Sequence, residues 1–397
     1  MLRFTDYRSR LETAATAWFA ARQLPVQETP YILRAWKDWP GNLLDPALAA
    51  RVEVERLRRQ AAGEGFPLHK YVHHGLSSQA MLFNLVLPLL ETNDVDALGD
   101  AFRAAGVPWP GPGATARLEV EDREVFRERS GQPTSFDLCI EGANGPPVFV
   151  EAKLVEQEFG GCSLFGAGDC DGENPARDHA RCALTGLGRT YWARLAELGF
   201  GDALAQGPIC HLGSYYQFYR EAAFALSRGG HFVLLVHGDN PAFWREDGDS
   251  PRGLWPLLLR SVPAEHRSRL HRVTLQDATA ALGTTGRHPW VEDFRARYAL
   301  DRPRVTASAR PSGPRGRRRA RTPGGLDAEA VLATLPASVT VAIRHFWEEA
   351  RAGGGETRGR TAMGRLSKLL AAQEIREGDP RWDAVIEHGR GLYYGNR

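Results

Sequence analysis

The chain has 397 residues, of which 43% are hydrophobic and 25% are charged, and its formal net charge is +2. This composition is ordinary for a globular protein and excludes a largely disordered chain. The length allows two or three domains at ~100–200 residues each. The longest apolar run, 81–90, is too short to span a bilayer, and the charged start of the chain does not resemble a signal peptide. We therefore expect a cytoplasmic protein with no membrane partner.

The positive charge is concentrated in one segment. Eight arginines and no acidic residue lie between Arg302 and Arg321, so the rest of the chain is mildly acidic. Residues 301–325 are also rich in Pro, Gly and Ser, which predicts a basic linker without a core. Its arginines could bind DNA phosphates, bind an acidic partner, or keep a tether in solution; for phosphate contact the candidates are Arg315, Arg317, Arg318, Arg319 and Arg321.

Helical periodicity dominates the first part of the chain. Apolar residues recur at helical spacing through residues 1–66, which predicts an N-terminal helical extension, and residues 77–90 read as a buried helix. Beyond the turn at 106–113, alternating residues predict three strands, A-R-L-E-V-E, S-F-D-L-C-I-E and V-F-V-E-A-K. The short turns between them predict an antiparallel meander.

The later elements suggest a second half of the same core. A long irregular segment holds four cysteines and a helix around 187–198, and a helix over 215–226 then precedes an apolar strand at 231–237. A strand near residue 273 and a helix at 291–300 end the core. Residues 326–397 recover helical periodicity without a charge bias, which predicts a small C-terminal helical domain that could dock a protein partner.

The strongest chemical signal lies in the predicted meander. Glu151 and Lys153 are two positions apart in one strand, so their side chains share a face, and a hairpin can bring Asp137 beside them. Two adjacent carboxylates favour a divalent cation, and a small set of oxygen donors suits Mg²⁺ or Mn²⁺. A lysine at that point can orient or deprotonate an attacking water and stabilise negative charge on phosphorus. The alternative interpretation is an ordinary Glu/Lys pair at a surface strand end.

These motifs resemble a known superfamily. The pattern S-F-D-x₁₃-E-A-K across strand, turn and strand resembles the PD-(D/E)xK nucleases of the restriction-endonuclease-like fold. The segments S-S-Q-A-M-L-F-N, F-G-G-C and Y-Q-F-Y-R are similar to a bacterial family described as restriction endonucleases. The resemblance implies an α/β protein whose core, residues 67–300, is a mixed sheet flanked by helices with a cysteine-containing insertion at about 160–210. It also implies a Mg²⁺-dependent DNA endonuclease in which Asp137, Glu151 and the Ala152 carbonyl bind the metal and Lys153 serves the water.

Other features of the resemblance are less complete. Many members of the superfamily carry an acidic residue on a helix near the N-terminus, but no such residue is obvious in this sequence, and Gln79 lies where it is expected. Glu119 or Glu121 in the first strand could supply an auxiliary carboxylate instead. The number of metal ions therefore stays open. Gln217 and Arg220 share a helix face and resemble a motif of RecB-like nucleases. They would contact the lysine or the scissile phosphate, or else they are polar residues on an exposed face.

Cysteines are clustered in an unusual way. Cys162, Cys170, Cys182 and Cys210 lie in one stretch without a C-x₂-C pair, so they either hold a structural Zn²⁺ or Fe–S cluster or pack as reduced apolar groups. His179 or His211 could replace one of the cysteines as a ligand. His69 and His73 also have metal-ligand spacing, but no third ligand accompanies them, so we expect no metal there.

The sequence therefore predicts a metal-dependent deoxyribonuclease, with bacterial defence or restriction as its role by analogy. A repair or recombination nuclease acting on ends or single strands and a catalytically idle DNA-binding or assembly module remain alternatives. A homodimer would suit double-strand cutting. Sequence specificity and the preferred nucleic acid stay open.

Overall fold

The computed structural model describes residues 3–246 and 251–300 and, in the C-terminal part, 327–335, 343, 347, 366, 370, 375–376 and 379–394. The predicted basic linker and its arginines lie outside these residues. None of the described helices is long and apolar enough to cross a membrane.

A five-stranded mixed sheet forms the centre of the molecule. The strands occur in chain order across the sheet, with β1, β2 and β3 antiparallel and β3, β4 and β5 parallel. The predicted meander and the restriction-endonuclease-like α/β class are thus confirmed. The strands are β1 (Thr115–Asp122), β2 (Thr134–Glu141), β3 (Val148–Lys153), β4 (His231–Val236) and β5 (Leu270–Thr274).

Helices cover both faces of the sheet. One face packs against α1 (Phe4–Ala21), α3 (Ser78–Glu91), α4 (Gly99–Ala104), α11 (Leu275–Thr284) and α12 (Trp290–Arg297). The other packs against α7 (Tyr191–Glu197), α9 (His211–Ser227) and α10 (Leu254–Leu259). The remaining helices are α2 (Leu48–Ala61), α5 (Ser163–Ala167), α6 (Ala183–Gly186), α8 (Gly201–Leu204), α13 (Ala328–Leu332) and α14 (Pro380–Tyr394), with 3₁₀ turns at Trp36–Asn42, Val95–Leu98, His179–Arg181 and Ala264–Arg269.

The N-terminal helices share the core of the sheet. Tyr7 and Leu11 of α1 are buried in the same apolar cluster as Val150 of β3 and Val233 of β4. β3 and β4 are buried along their whole length, which explains the apolar run Phe232–Val236 in β4 and makes Glu151 and Lys153 of β3 buried charged residues. The described C-terminal residues form an apolar cluster of their own, which includes Val331, Leu332, Trp347, Leu366 and Val385.

A buried polar network joins the N-terminal segment to the core. The Asn84 side chain on α3 accepts a hydrogen bond from the Leu44 N–H (2.7 Å) and donates to the Asn42 carbonyl (3.0 Å) and the Tyr298 hydroxyl (2.8 Å). The Arg297 guanidinium donates to the Asn42 side chain (2.9 Å). Because these groups are buried, each depends on its partner for a hydrogen bond.

We expect Asn84→Leu to lower the free energy of unfolding by about 2–4 kcal/mol, because the Leu44 N–H and the Asn42 carbonyl lose their buried partner. The matched control is Gln60→Leu, since Gln60 is exposed on α2. The measurement is urea denaturation followed by tryptophan fluorescence. An N84L variant as stable as the Q60L variant would contradict the role given to this network.

Candidate active site

Register between β2 and β3 brings the candidate catalytic residues together. Leu138 pairs with Val150, and the same antiparallel register places Asp137 opposite Glu151. Opposite residues in an antiparallel pair lie on the same face, and Lys153 follows two positions later. The three side chains therefore lie at the carboxyl end of β3, as the hairpin prediction required.

Direct hydrogen bonds define the geometry of this cluster. The Lys153 ammonium donates to Glu151 Oε1 (2.6 Å) and to Gln217 Oε1 (2.9 Å), and Gln217 Nε2 donates to the same Glu151 oxygen (2.6 Å). The Ala152 N–H donates to Asp137 Oδ2 (2.8 Å). Gln217 lies on α9, which follows β3 in the chain only after a long insertion. Of the predicted pair Gln217 and Arg220, Gln217 is therefore the residue that contacts Glu151 and Lys153.

A third carboxyl group joins from β1. Glu119 lies between Leu118 and Val120, which pair with Leu138 and Phe136 on either side of Asp137. Its carboxyl group is buried and accepts a hydrogen bond from Gln79 Nε2 (2.7 Å). Gln79 stands in the first turn of α3, so both auxiliary candidates meet at one point. The alternative, Glu121, is only half-buried and lies against the backbone of Gly65.

Backbone conformation at Glu119 is unusual for a residue with a side chain. Its φ is +50°, in the left-handed region that a non-glycine residue seldom adopts. The buried Arg59 of α2 holds this segment, donating to the carbonyls of Leu118 (2.6 Å) and Glu119 (2.6 Å). The sequence analysis missed Arg59, which reads there as one more charged residue on a polar helix.

The strand pair changes faces at this point. Leu118 packs in the cluster beneath α3, whereas Val120 packs against the cluster beneath α9. Across the ladder, Leu138 and Phe136 are divided between the two clusters in the same way. In a regular strand, residues two positions apart point to the same face, so Leu118 and Val120 would share one cluster, and so would Phe136 and Leu138. The local reversal therefore falls at Glu119 in β1 and at Asp137 in β2, where the strands pass from one apolar cluster to the other.

Buried carboxyl groups this close together resist ionisation. Burial, reinforced by Glu151, raises the pKa of Glu119 to about 8. Burial also raises the pKa of Asp137 well above its usual value, and the charges of Glu151 and Glu119 add to the effect. Without a bound cation, Glu119 and Asp137 are therefore held mainly in the protonated, neutral form at neutral pH.

Burial and the neighbouring carboxylates act on the pKa of Lys153 in opposite directions. Burial alone lowers the pKa of Lys153, but the carboxylates around it, Glu151 first, raise it above the usual value. Without a bound cation, this arrangement therefore favours the ammonium form of Lys153. An ammonium that stays charged can stabilise negative charge but is a poor general base.

The second residue of the predicted helical pair occupies different surroundings. The Arg220 guanidinium lies over the Tyr216 ring (5.0 Å) and near the Glu221 carboxylate (3.9 Å). Glu221 is fully buried below Gln217, and burial together with Glu151 raises its pKa well above the usual value. An acidic residue on a helix carries no local signal of burial, so the sequence alone does not predict that Glu221 lies in the core.

The chain leaves β3 through a firmly held segment. The Leu154 carbonyl accepts hydrogen bonds from the Tyr7 hydroxyl (2.6 Å) and from Asn240 Nδ2 (3.0 Å). Glu156 accepts a hydrogen bond from the Ser78 hydroxyl (2.6 Å) at the start of α3. These contacts, which the sequence did not reveal, fix the backbone that carries Lys153.

Metal ligation in the site depends on few protein donors. Among the described residues, no three Asp, Glu, His or Cys side chains already converge closely enough to enclose an ion. His69, His73 and His74 lie in a turn rather than on a helix, and burial lowers the pKa of each.

The mixed sheet, its two helical layers and the Asp137, Glu151 and Lys153 cluster define a restriction-endonuclease-like protein. The chain belongs to the family described as Restriction Endonuclease associating with ARP, whose family model matches residues 13–299. The match covers the sheet, both helical layers and the cysteine-containing insertion. No curated protein and no solved structure matches the chain.

The raised pKa of Glu119 predicts how the stability of the metal-free protein depends on pH. Between the ordinary carboxyl pKa and about 8, Glu119 ionises in the unfolded chain but stays protonated in the fold. The free energy of unfolding should therefore fall as pH rises through this window and then level off. Glu119→Gln, which keeps the Gln79 contact in reach, should make the fall shallower.

The measurement is urea denaturation in EDTA at several pH values between 4.5 and 9. Glu141→Gln is the control, since Glu141 is exposed at the end of β2. Equal pH slopes for wild type, E119Q and E141Q would show that Glu119 ionises normally.

Proposed function

We propose that this protein is a metal-dependent nuclease that hydrolyses phosphodiester bonds in DNA. The observation that carries the proposal is the convergence of Asp137, Glu151 and Lys153 at the end of β3, with Gln217 bonded to both Glu151 and Lys153. The membership of a restriction-endonuclease family supports the same conclusion. The fold alone would not, because one fold hosts many activities.

The donor set at this site fits a hard divalent cation. Asp137, Glu151 and the Ala152 carbonyl would hold Mg²⁺ or Mn²⁺, and an incomplete protein shell suits an ion that keeps several waters. The carboxyl groups outnumber the single ammonium of Lys153, so a divalent cation would find carboxylates whose charge no protein cation balances. When bound, the ion would lower the pKa of a coordinated water and offset charge on the phosphate. Glu119 is the candidate for an auxiliary carboxylate.

The protein groups around the metal position have separable tasks. The Lys153 ammonium remains charged, so it would stabilise the negative charge that develops on the phosphate oxygens during hydrolysis. Gln217 orients Lys153 by accepting one of its hydrogen bonds, and it holds Glu151 at the same time. Gln79 orients Glu119. Each of these side chains is buried or half-buried, which limits the number of conformations it can adopt.

Two exposed aromatic residues, Trp36 and Tyr71, come from segments that contact each other near the site, and we call them the exposed aromatic loop. The Tyr71 ring is 46% exposed and the Trp36 ring 41% exposed, although most large apolar side chains of the described core are buried. Trp36 Nε1 donates to the His69 carbonyl (3.3 Å), and the His69 N–H donates to Gln79, the residue that holds Glu119. Lys70 lies over the Tyr71 ring (4.8 Å). Exposed rings beside a cation suit stacking on unpaired bases and contact with phosphates.

Bacterial restriction or defence is the biological role that the family description favours. The exposed aromatic loop favours substrates with unpaired bases, as at DNA ends or in single strands, so a repair or recombination nuclease is the second candidate. The linker arginines would add sequence-independent phosphate contacts. A catalytically idle module would keep DNA binding without cleavage.

Replacing Lys153 or Glu151 should abolish cleavage without unfolding the protein. We expect Lys153→Met and Glu151→Gln each to lower the rate of Mg²⁺-dependent cleavage by at least about 100-fold, because charge stabilisation or metal ligation is lost. The assay uses plasmid, linear duplex, single-stranded DNA and RNA, with Mg²⁺ or with EDTA. The matched controls are Lys37→Met and Glu141→Gln, since both residues are exposed.

Cleavage that persists in EDTA or in the K153M variant would disprove the mechanism. DNA binding without cleavage of any of the four substrates would favour the idle module. Preference for single strands or ends over closed plasmid would favour the repair nuclease.

The aromatic loop predicts a separate effect on binding. Tyr71→Ala should weaken the binding of single-stranded DNA to the K153M protein by about 5- to 100-fold, because a stacking surface is lost. Leu187→Ala is the control, since Leu187 is an exposed large apolar residue outside this loop. Fluorescence anisotropy of a labelled oligonucleotide measures both variants. Equal affinities for the two would remove the loop from the substrate path.

A further inference from the structure

Four of the five cysteines face one small cavity in the segment between β3 and α9. Cys162 immediately precedes α5, Cys170 lies beyond it, Cys182 immediately precedes α6, and Cys210 immediately precedes α9. All five cysteines are free thiols. The fifth, Cys139, lies on β2 in the apolar core and does not line the cavity. The fold therefore brings together the four cysteines that are dispersed along the insertion.

Backbone N–H groups are directed at these sulfur atoms. Burial raises the pKa of the Cys162 and Cys210 thiols, whereas nearby backbone N–H groups, those of Leu164 and Phe165 at Cys162 and those of Leu212 and Gly213 at Cys210, act in the opposite direction. The Gly172 N–H donates to the Cys170 sulfur (3.5 Å). Donors of this kind favour the thiolate over the thiol and orient metal ligands. Cysteines that serve only as small apolar side chains have no need of them.

The rest of the cavity wall is apolar. Leu164, Phe165, Leu184 and Leu212 line it together with backbone of small residues, so the sulfur atoms supply its only strong ligands. A cysteine that packs as a small apolar group fills space against its neighbours. Four thiols that leave a cavity between them are better explained by an occupant that sulfur binds.

The two candidate histidines are engaged elsewhere. The His179 ring packs near Trp192 (6.1 Å between centroids), and His211 Nε2 is hydrogen bonded to the Gln206 carbonyl (3.2 Å). Neither histidine lines the cavity. The donor set is thus four cysteines, which is a set typical of a closed, four-coordinate structural zinc site.

We propose that Cys162, Cys170, Cys182 and Cys210 bind one structural zinc ion. Among the described residues, no three of these thiols lie close enough together to hold an ion as they stand, so zinc binding requires the segments that carry them to move closer. Cys162 and Cys170 are half-buried, which gives the ion a path into the cavity. On binding, each thiol that becomes a ligand releases its proton to solvent, and no redox change occurs.

The zinc ion would hold the insertion against the start of α9. The Cys162 N–H donates to the Leu212 carbonyl (3.2 Å), and the Gln217 N–H donates to the Gly160 carbonyl (3.2 Å). Between Cys210 and Gln217, α9 is bent at Tyr215. A fixed cysteine cluster would therefore keep this bent end of the helix in place, and with it the Gln217 side chain that holds Lys153.

Metal analysis of the purified full-length chain tests the proposal independently of nuclease activity. The wild-type protein, prepared under reducing conditions without chelators, should contain about one zinc ion per chain by inductively coupled plasma mass spectrometry. Cys170→Ser and Cys182→Ser should each lose at least about four-fifths of this zinc. Cys139→Ser should retain all of it, because Cys139 does not line the cavity.

Cobalt substitution gives a second measurement that needs no variant. Wild-type protein stripped of zinc and loaded with Co²⁺ should show the sulfur-to-cobalt charge-transfer bands and visible bands of tetrahedral thiolate coordination. Circular dichroism and gel filtration establish that each protein compared is folded, and Cys170→Ser, at a half-buried position, covers the case in which the buried C182S variant does not fold.

Three results would overturn the proposal. The first is folded wild-type protein that neither contains zinc nor binds zinc or cobalt after reduction. The second is iron with acid-labile sulfide at this site, which would identify a cluster instead of zinc. The third is C139S losing as much zinc as C170S.

Discussion

The concentration of acidic groups around a single ammonium at the end of β3 is the constraint on which the rest of this structure depends. Glu119, Asp137 and Glu151 meet within the fold, and Lys153 is the cation bonded among them. Burying like charges together is unfavourable unless protons or cations compensate them. The fold keeps this arrangement in the absence of a metal by protonating carboxyl groups, which is the physical meaning of their raised pKa values. A divalent cation would serve the same purpose with more positive charge and would bring catalytic chemistry with it.

The surrounding structure holds this unfavourable cluster in place from three directions. Arg59 on α2 stabilises the left-handed backbone at Glu119, Gln79 on α3 orients its carboxyl group, and Gln217 on α9 orients Lys153. Strain and buried charge at one point are common at functional sites, where the rest of the protein offsets their cost. This explains why helices from both layers, rather than the sheet alone, contribute to the site.

The insertion between β3 and β4 links the site to a second chemical feature. It begins immediately after Lys153 and returns through α9, so its conformation determines where Gln217 stands. The residues matched by the family model, 13–299, include this segment. The four-cysteine cavity lies within it, and the proposed zinc ion would act on the catalytic residues only through α9.

Local pattern was enough to find the catalytic hairpin. Asp137, Glu151 and Lys153 lie on neighbouring strands joined by a short turn, so the two-residue period and a turn of Gly and Pro already predict that they meet. The same reasoning predicted the strands and the main helices, whereas the mixed sheet was implied by the resemblance to the restriction-endonuclease-like fold. Local pattern does not give the protonation state of Lys153, because a pKa depends on every charge that the fold brings near, and several of those charges come from other elements.

What the sequence by itself determined is therefore the set of elements and the part of the site that one hairpin contains. Only the tertiary structure decided that Glu119 rather than Glu121 is buried there, that Gln217 reaches Lys153 while Arg220 packs against Tyr216, and that four dispersed cysteines share a cavity. The physical reason is that periodicity reports which face of an element is apolar. It carries no information on which distant polar groups will be brought together when those faces pack.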